Sequence, residues 1–125
     1  MKKKIDPSRV LAQSIYHALQ EGKVSKPVVL NVGEKTSFAD YLIVGSATSD
    51  RQNLALADRV IDQLKKELGR RPLSVEGRET ASWILMDYGE VVVHLFLQET
   101  RDFYQLEEMW HDAKRVRFLK KTSEK

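Results

Sequence analysis

The sequence predicts a single α/β domain in which a mixed β-sheet is flanked by helices, and three observations carry that expectation. The first is a β-hairpin: residues 82–87 and 91–97 are both strand-like and apolar, and Tyr88, Gly89 and Glu90 form the bend between them. Alternation places Trp83, Leu85 and Asp87 on one face of this hairpin and Ile84, Met86 and Tyr88 on the other, and it likewise sets Val91, Val93, Leu95 and Leu97 against Val92, His94 and Phe96. Both faces are apolar, so both need covering, one by helices and the other by further helices or a partner. The second observation is the run Tyr41–Ser46, YLIVGS, an apolar segment of strand length that belongs at the centre of a sheet. The third is the order of elements: helix, two strands, helix, three strands, helix.

Each element has its own local signals. Asp6 followed by Pro7 reads as an N-cap with proline at the first helical position, and Val10, Leu11, Ile15, Ala18 and Leu19 then share a side until Gly22. Residues 27–32, PVVLNV, form a strand, and residues 33–37 connect it to the central one. Ser49-Asp50-Arg51-Gln52 matches a capping box. The helix that follows carries Leu54, Ala57, Ile61, Leu64 and Leu68 at spacings of three and four, and Gly69 ends it. Arg71-Pro72 breaks the chain, Leu73–Val75 starts a short strand, and residues 76–80 form a polar loop. A last helix is expected over about 102–113, with Phe103, Leu106, Met109, Trp110 and Ala113 as its apolar stripe.

At 125 residues the chain is long enough to bury a core without a metal or disulfides, and it has no cysteine. No apolar run approaches membrane-spanning length, and MKKK is followed by Ile5-Asp6-Pro7 rather than by a hydrophobic segment, so a soluble cytoplasmic protein is expected. The net charge of +3 is unevenly distributed. Residues 5–113, the expected folded body, hold 12 Lys/Arg against 17 Asp/Glu, whereas residues 1–4 and 114–125 hold nine cations against one carboxylate. An acidic body with basic tails does not fit a domain that grips phosphates through its fold. It fits a body that meets a basic protein, with tails that either touch nucleic acid or are simply solvated ends.

Catalytic signals are weak. Val44–Ser49 at a strand-to-helix junction could cradle an anion, but it has one glycine, no P-loop lysine, and Asp50 directly after it. A glycine-serine pair opening a helix in a small α/β domain is also a feature of the nucleotidyltransferase fold. That reaction needs two or three carboxylates converging on a metal, and the nearby strands offer Glu76 and Asp87 singly rather than as a pair. His17, His94 and His111 have no metal-ligand spacing, and His94 reads as a satisfied sheet histidine rather than a ligand. No catalytic residue and no metal site are assigned. Trp83 beside acids has two readings, a core aromatic under a helix or an anchor for a basic partner; Trp110 reads as core.

The segments DYLIVGSATSDRQ, PLSVEG, WILMDYGEVVVHLF and ETRDFYQLEEMW, with Ala57-Asp58 between the first two, together resemble the ribosome silencing factor family, also called Iojap-related or RsfS. The resemblance spans about residues 8–113, and several separated motifs occur in the right order. It implies a nucleotidyltransferase-like fold used without catalysis or cofactor. It further implies docking on the large ribosomal subunit at its ribosomal protein fourteen, blocking of small-subunit joining, and repression of translation when nutrients are short. Carried over by position, the contact surface would be Trp83, Leu85 and Asp87, with Tyr88 at the turn and Glu76 and Arg78 in the preceding loop; Trp83 would be the apolar anchor and Asp87 and Glu76 the acceptors. The opposite hairpin face is the alternative. Family members often form homodimers, and a two-fold interface could share this sheet. The basic tails, which could reach ribosomal RNA, lie outside the resemblance. A nucleotide-binding enzyme using Gly45, Ser46 and Asp50 is the competing function.

Overall fold

The computed structural model describes residues 6–119, so the basic cluster Lys2–Lys4 and the cations Lys120, Lys121 and Lys125 lie outside the described residues. The elements are α1 (Pro7–Glu21), β1 (Ser25–Asn31), β2 (Tyr41–Ala47), α2 (Asp50–Leu68), β3 (Ser74–Glu76), β4 (Trp83–Asp87), β5 (Val91–Leu97), α3 (Gln98–Tyr104), a 3-10 segment (Leu106–Trp110) and β6 (Lys114–Val116). The six strands form one sheet in the order β3-β4-β5-β2-β1-β6. The central β2–β5 pair is parallel and the other pairs are antiparallel, which gives the mixed α/β architecture that the sequence predicts. Every residue of β2 is buried, as expected of a strand with a neighbour on each edge and side chains covered on both faces.

The two faces are covered unequally. α1 and α2 pack together on one side, and beneath them lie Ile43 of β2, Ile84 and Met86 of β4, and Val91, Val93 and Leu95 of β5. A smaller cluster on the other side gathers Val28, Leu30, Leu42, Val44 and Phe96 under Leu106, Trp110 and Ala113. The short α3 and 3-10 segment thus roof only part of the second face.

Local chemistry accounts for the helix ends. Asp6 accepts from the Ser8 N–H at 3.1 Å and Pro7 opens α1. Ser49 Oγ accepts from the Gln52 N–H at 3.1 Å, and the Gln52 side chain reaches back to the Thr48 N–H at 2.9 Å, one residue before the cap. Gly69 closes α2 in the left-handed conformation. The buried stripe of α2 is Asn53, Leu56, Ala57, Val60 and Leu64, so it is rotated from the expected one; Leu54 and Ile61 sit at its margin and Leu68 is exposed. Val10 of α1 is exposed too.

Two expectations at the C-terminal end need correction. The last helix does not run from 102 to 113: it ends at Tyr104, Gln105 takes φ 47° and ψ 51°, and the chain resumes as a 3-10 segment. Arg101 explains the break. On a continuous helix, residues 101 and 107 would point about 120° apart, whereas here the buried Arg101 guanidinium meets Glu107 at 2.7 Å and donates to Ser46 Oγ at 2.7 Å. The fold also does not end at residue 113. β6 adds antiparallel to β1, pairing Val29 with Val116 and Asn31 with Lys114, and Phe118 packs beside Tyr16 of α1. Three charged residues around one inward valine leave no alternation to read, and such charge is a common protection of an edge strand.

Candidate functional site

The least covered part of the sheet is the β3–β4–β5 half, on the side away from α1 and α2. Antiparallel register builds it in rows: Glu76 lies beside Leu85 and Leu85 beside His94, while Ser74, Asp87 and Val92 form the next row and Trp83 stands opposite Phe96. Register therefore brings together four residues assigned from the sequence, Glu76, Leu85, Asp87 and Trp83, on one continuous face. Leu85, Asp87 and Trp83 are half-buried and Glu76 is exposed.

Trp83 is neither fully buried nor loose. Its ring lies 4.9 Å from Phe96 and 4.7 Å from Tyr104 of α3, and its indole N–H donates to His94 Nδ1 at 3.0 Å. It is thus held firmly although the residue is only half-buried. His94 is a sheet histidine with a local partner: burial pushes its pKa down to about 4, and accepting at Nδ1 places the ring proton of the neutral form on Nε2. Asp87 uses one oxygen to accept from the Gly89 N–H at 2.8 Å, which fixes the carboxylate at the turn and leaves its second oxygen for other donors.

Two residues assigned from the resemblance do not join this face. Tyr88 is 1% exposed and packs in the helix-side core, where burial pushes its hydroxyl up to about 12. Alternation and the Tyr88–Glu90 turn send its ring under the helices, away from the exposed face. Arg78 turns toward α2 and pairs with Asp58 at 2.9 Å. The opposite hairpin face is closed off as well, since Ile84, Met86 and Tyr88 lie beneath α1 and α2.

The loop before β4 is a positioning device that sequence reasoning missed. The Asn53 amide, buried in α2, donates to the carbonyls of Ala81 at 2.8 Å and Leu95 at 3.0 Å, tying the loop to β5. Gly77 has φ +90°, and a Cβ there would stand 2.0 Å from the Trp83 carbonyl oxygen, so the close turn that delivers Trp83 requires glycine. A polar residue within the apolar stripe of α2 was the available signal for Asn53. Phe103 and Met109, expected on a buried stripe, are exposed because the helix breaks between them.

Within the Val44–Ser49 junction, Gly45 and Ser46 are packed rather than open to a ligand, whereas Thr48 and Ser49 are exposed. A Cβ on Gly45 would meet Val24 Cγ2 at 2.6 Å, and Ser46 is buried with its hydroxyl accepting from Arg101. Among the described residues, no three His, Asp or Glu side chains gather as a metal would require, and no helix is long and apolar enough to cross a membrane.

Comparison with known proteins agrees with this architecture. The family model described as "Ribosomal silencing factor during starvation" matches residues 5–125. The chain is 34% identical over 105 residues to the ribosomal silencing factor RsfS of Zymomonas mobilis, covering 84% of this chain and 77% of that protein. It is 36% identical over 100 residues to the RsfS of Haemophilus influenzae, covering 80% and 97% respectively. A crystal structure of a Chromobacterium violaceum protein superimposes with a TM-score of 0.80 at 33% identity, covering 89% of this chain and 91% of that one. With the family model matching nearly the full length and close relatives covering most of it, the chain belongs to the ribosomal silencing factor family.

Proposed function

We propose that this protein acts without catalysis, by binding the large ribosomal subunit through its ribosomal protein fourteen and so excluding the small subunit, which represses translation when nutrients are short. The observation that carries this reading is the half-covered β3–β4–β5 face. It offers a fixed aromatic anchor, Trp83, with Leu85 beside it and the carboxylates of Glu76 and Asp87 along its margin. An apolar anchor among acceptors suits a basic protein surface, where charge complementarity speeds encounter and apolar burial holds the complex. Steric exclusion needs no cofactor and no reacting group, so the nucleotidyltransferase-like fold would serve here as a scaffold. The cytoplasm is the compartment this activity calls for, and a homodimer using the same face would compete with the subunit. The basic residues at both ends would add contacts to ribosomal RNA.

The test is sedimentation of the purified protein with separated large subunits, with and without small subunits. Comigration with the large subunit and loss of the joined particle are expected. A folded protein that stays at the top of the gradient at low salt would overturn the reading.

A further inference from the structure

We propose that α3 and the 3-10 segment form a second docking surface, which extends the Trp83 patch and takes a Lys/Arg-rich segment of the same ribosomal protein partner through apolar contacts and the carboxylates carried by the same two elements. This inference rests on the function proposed above and names a further part of the partner-binding surface.

Three large apolar side chains on these two short elements face solvent: Phe103 is 79% exposed, Met109 71% and Tyr104 53%. They are not the loose ends of a fraying helix. The ring of Phe103 meets Tyr104 edge-on at 5.0 Å, and Tyr104 lies against Trp83 at 4.7 Å, so the apolar surface continues from α3 onto β4. The backbone beneath is held by the buried Arg101, which ties α3 to Glu107 of the 3-10 segment and to Ser46 of the central strand. A surface held in place by a partly buried ion pair binds with less ordering cost than a mobile one.

Charge selects the occupant. Residues 98–112 contain five carboxylates and one guanidinium. Arg101 is engaged with Glu107, and Lys35 pairs with Asp112. Among the described residues no cation pairs with Glu99, Asp102 or Glu108, although Asp102 accepts from Gln98 at 2.9 Å. Lys26 lines the same groove as Asp102, Glu107 and Glu108, yet carboxylates still outnumber cations there, which disfavours nucleic acid. A second copy of the chain docked by two-fold symmetry would set the same carboxylates against each other. A basic protein segment with apolar side chains satisfies both the exposed rings and the acids. Because the patch is continuous with Trp83, the partner that covers one covers the other.

The experiment titrates fluorescently labelled full-length protein with purified bacterial large subunits and follows anisotropy. Phe103→Ser combined with Met109→Gln is expected to weaken binding by about 10-fold or more, since exposed anchors of this kind carry a large share of interface energy. The thermal melt should stay at the wild-type value, because neither side chain is buried. Asp102→Lys with Glu108→Lys is expected to slow association and to weaken its salt dependence. If wild type binds and the Phe103/Met109 variant binds within about twofold of it, the second surface is refuted while the proposed function stands. If wild type itself fails to bind, both fall. If the variant changes the mass of the free protein in sedimentation without changing subunit affinity, the surface is a contact between copies and the inference is overturned.

Discussion

Acid should loosen this protein through His94 before its carboxylates titrate. Burial lowers the folded-state pKa of this imidazole from 6.5 to about 4, and the geometry agrees, because a proton on Nδ1 would displace the hydrogen bond from Trp83. Since the folded value lies below the unfolded one, the unfolded chain takes up the proton first. The stability that a neutral His94 contributes is therefore present above about pH 6.5 and is lost as the pH falls toward 4. Between pH 7 and pH 5 that loss is about 2 kcal/mol, which for a domain of this length, with an unfolding entropy of roughly 2 cal/mol/K per residue, lowers Tm by about 7 °C. Calorimetry or urea unfolding at the two pH values measures it. His94→Gln is the control, because its amide oxygen can still accept from the indole but does not titrate; its loss over the same interval should be under about 1 kcal/mol. Glu90, held below the usual carboxylate range mainly by its hydrogen bond from Arg70, adds stability that disappears only below the ordinary carboxylate pKa, so it contributes little above pH 5. Equal losses in wild type and His94→Gln would refute the assignment of the acid sensitivity to His94.

Three further outcomes are expected. Arg101→Met should cost about 3 kcal/mol in urea unfolding, because it strips a partner from the buried Ser46 and leaves Glu107 unpaired; a loss below about 1 kcal/mol would mean that the kink at Gln105 holds without it. Gly77→Ala should destabilise by more than about 3 kcal/mol, since both its positive φ and the 2.0 Å approach to the Trp83 carbonyl oppose a Cβ, and a near-wild-type melt would contradict that turn geometry. Trp83→Ala should weaken large-subunit binding by about 30-fold while keeping a cooperative melt, and unchanged affinity would remove Trp83 as an anchor.

The central sheet was readable because its residues obey a period of two. The alternation in Trp83–Asp87 and Val91–Leu97 assigned each side chain to the face it occupies, including the burial of Ile84 and Met86 and the grouping of Trp83, Leu85 and Asp87. The same parity places Tyr88 with Ile84 and Met86, so its burial was implicit in the pattern, even though the resemblance offered it as a contact. The C-terminal end was not readable. Phe103, Leu106, Met109 and Trp110 fit a helical stripe, and what overrides that spacing is a tertiary contact, Arg101 with Ser46, between residues far apart in the chain. Arg78 lies in the loop where the sequence put it, but its pairing with Asp58 of α2 was not readable for a similar reason. For β6 the difficulty was composition: Lys114 and Arg115 resemble a solvated tail, and only the hydrogen-bonding edge of β1 makes them a strand.

That closing strand also sets an order of events during synthesis. β1 and β2 are near neighbours in sequence, but the other edge of β1 waits for residues 114–116, more than eighty positions later. Until they emerge, the row Val29–Asn31 presents unpaired backbone groups beside apolar side chains, an open template for any other extended chain. A protein fragment stopped just before Lys114 would keep both main helices and five strands, yet it would carry this unprotected edge permanently. Its characteristic failure would be self-association rather than unfolding, so the charged strand Lys114–Val116 acts as an intramolecular stopper against aggregation.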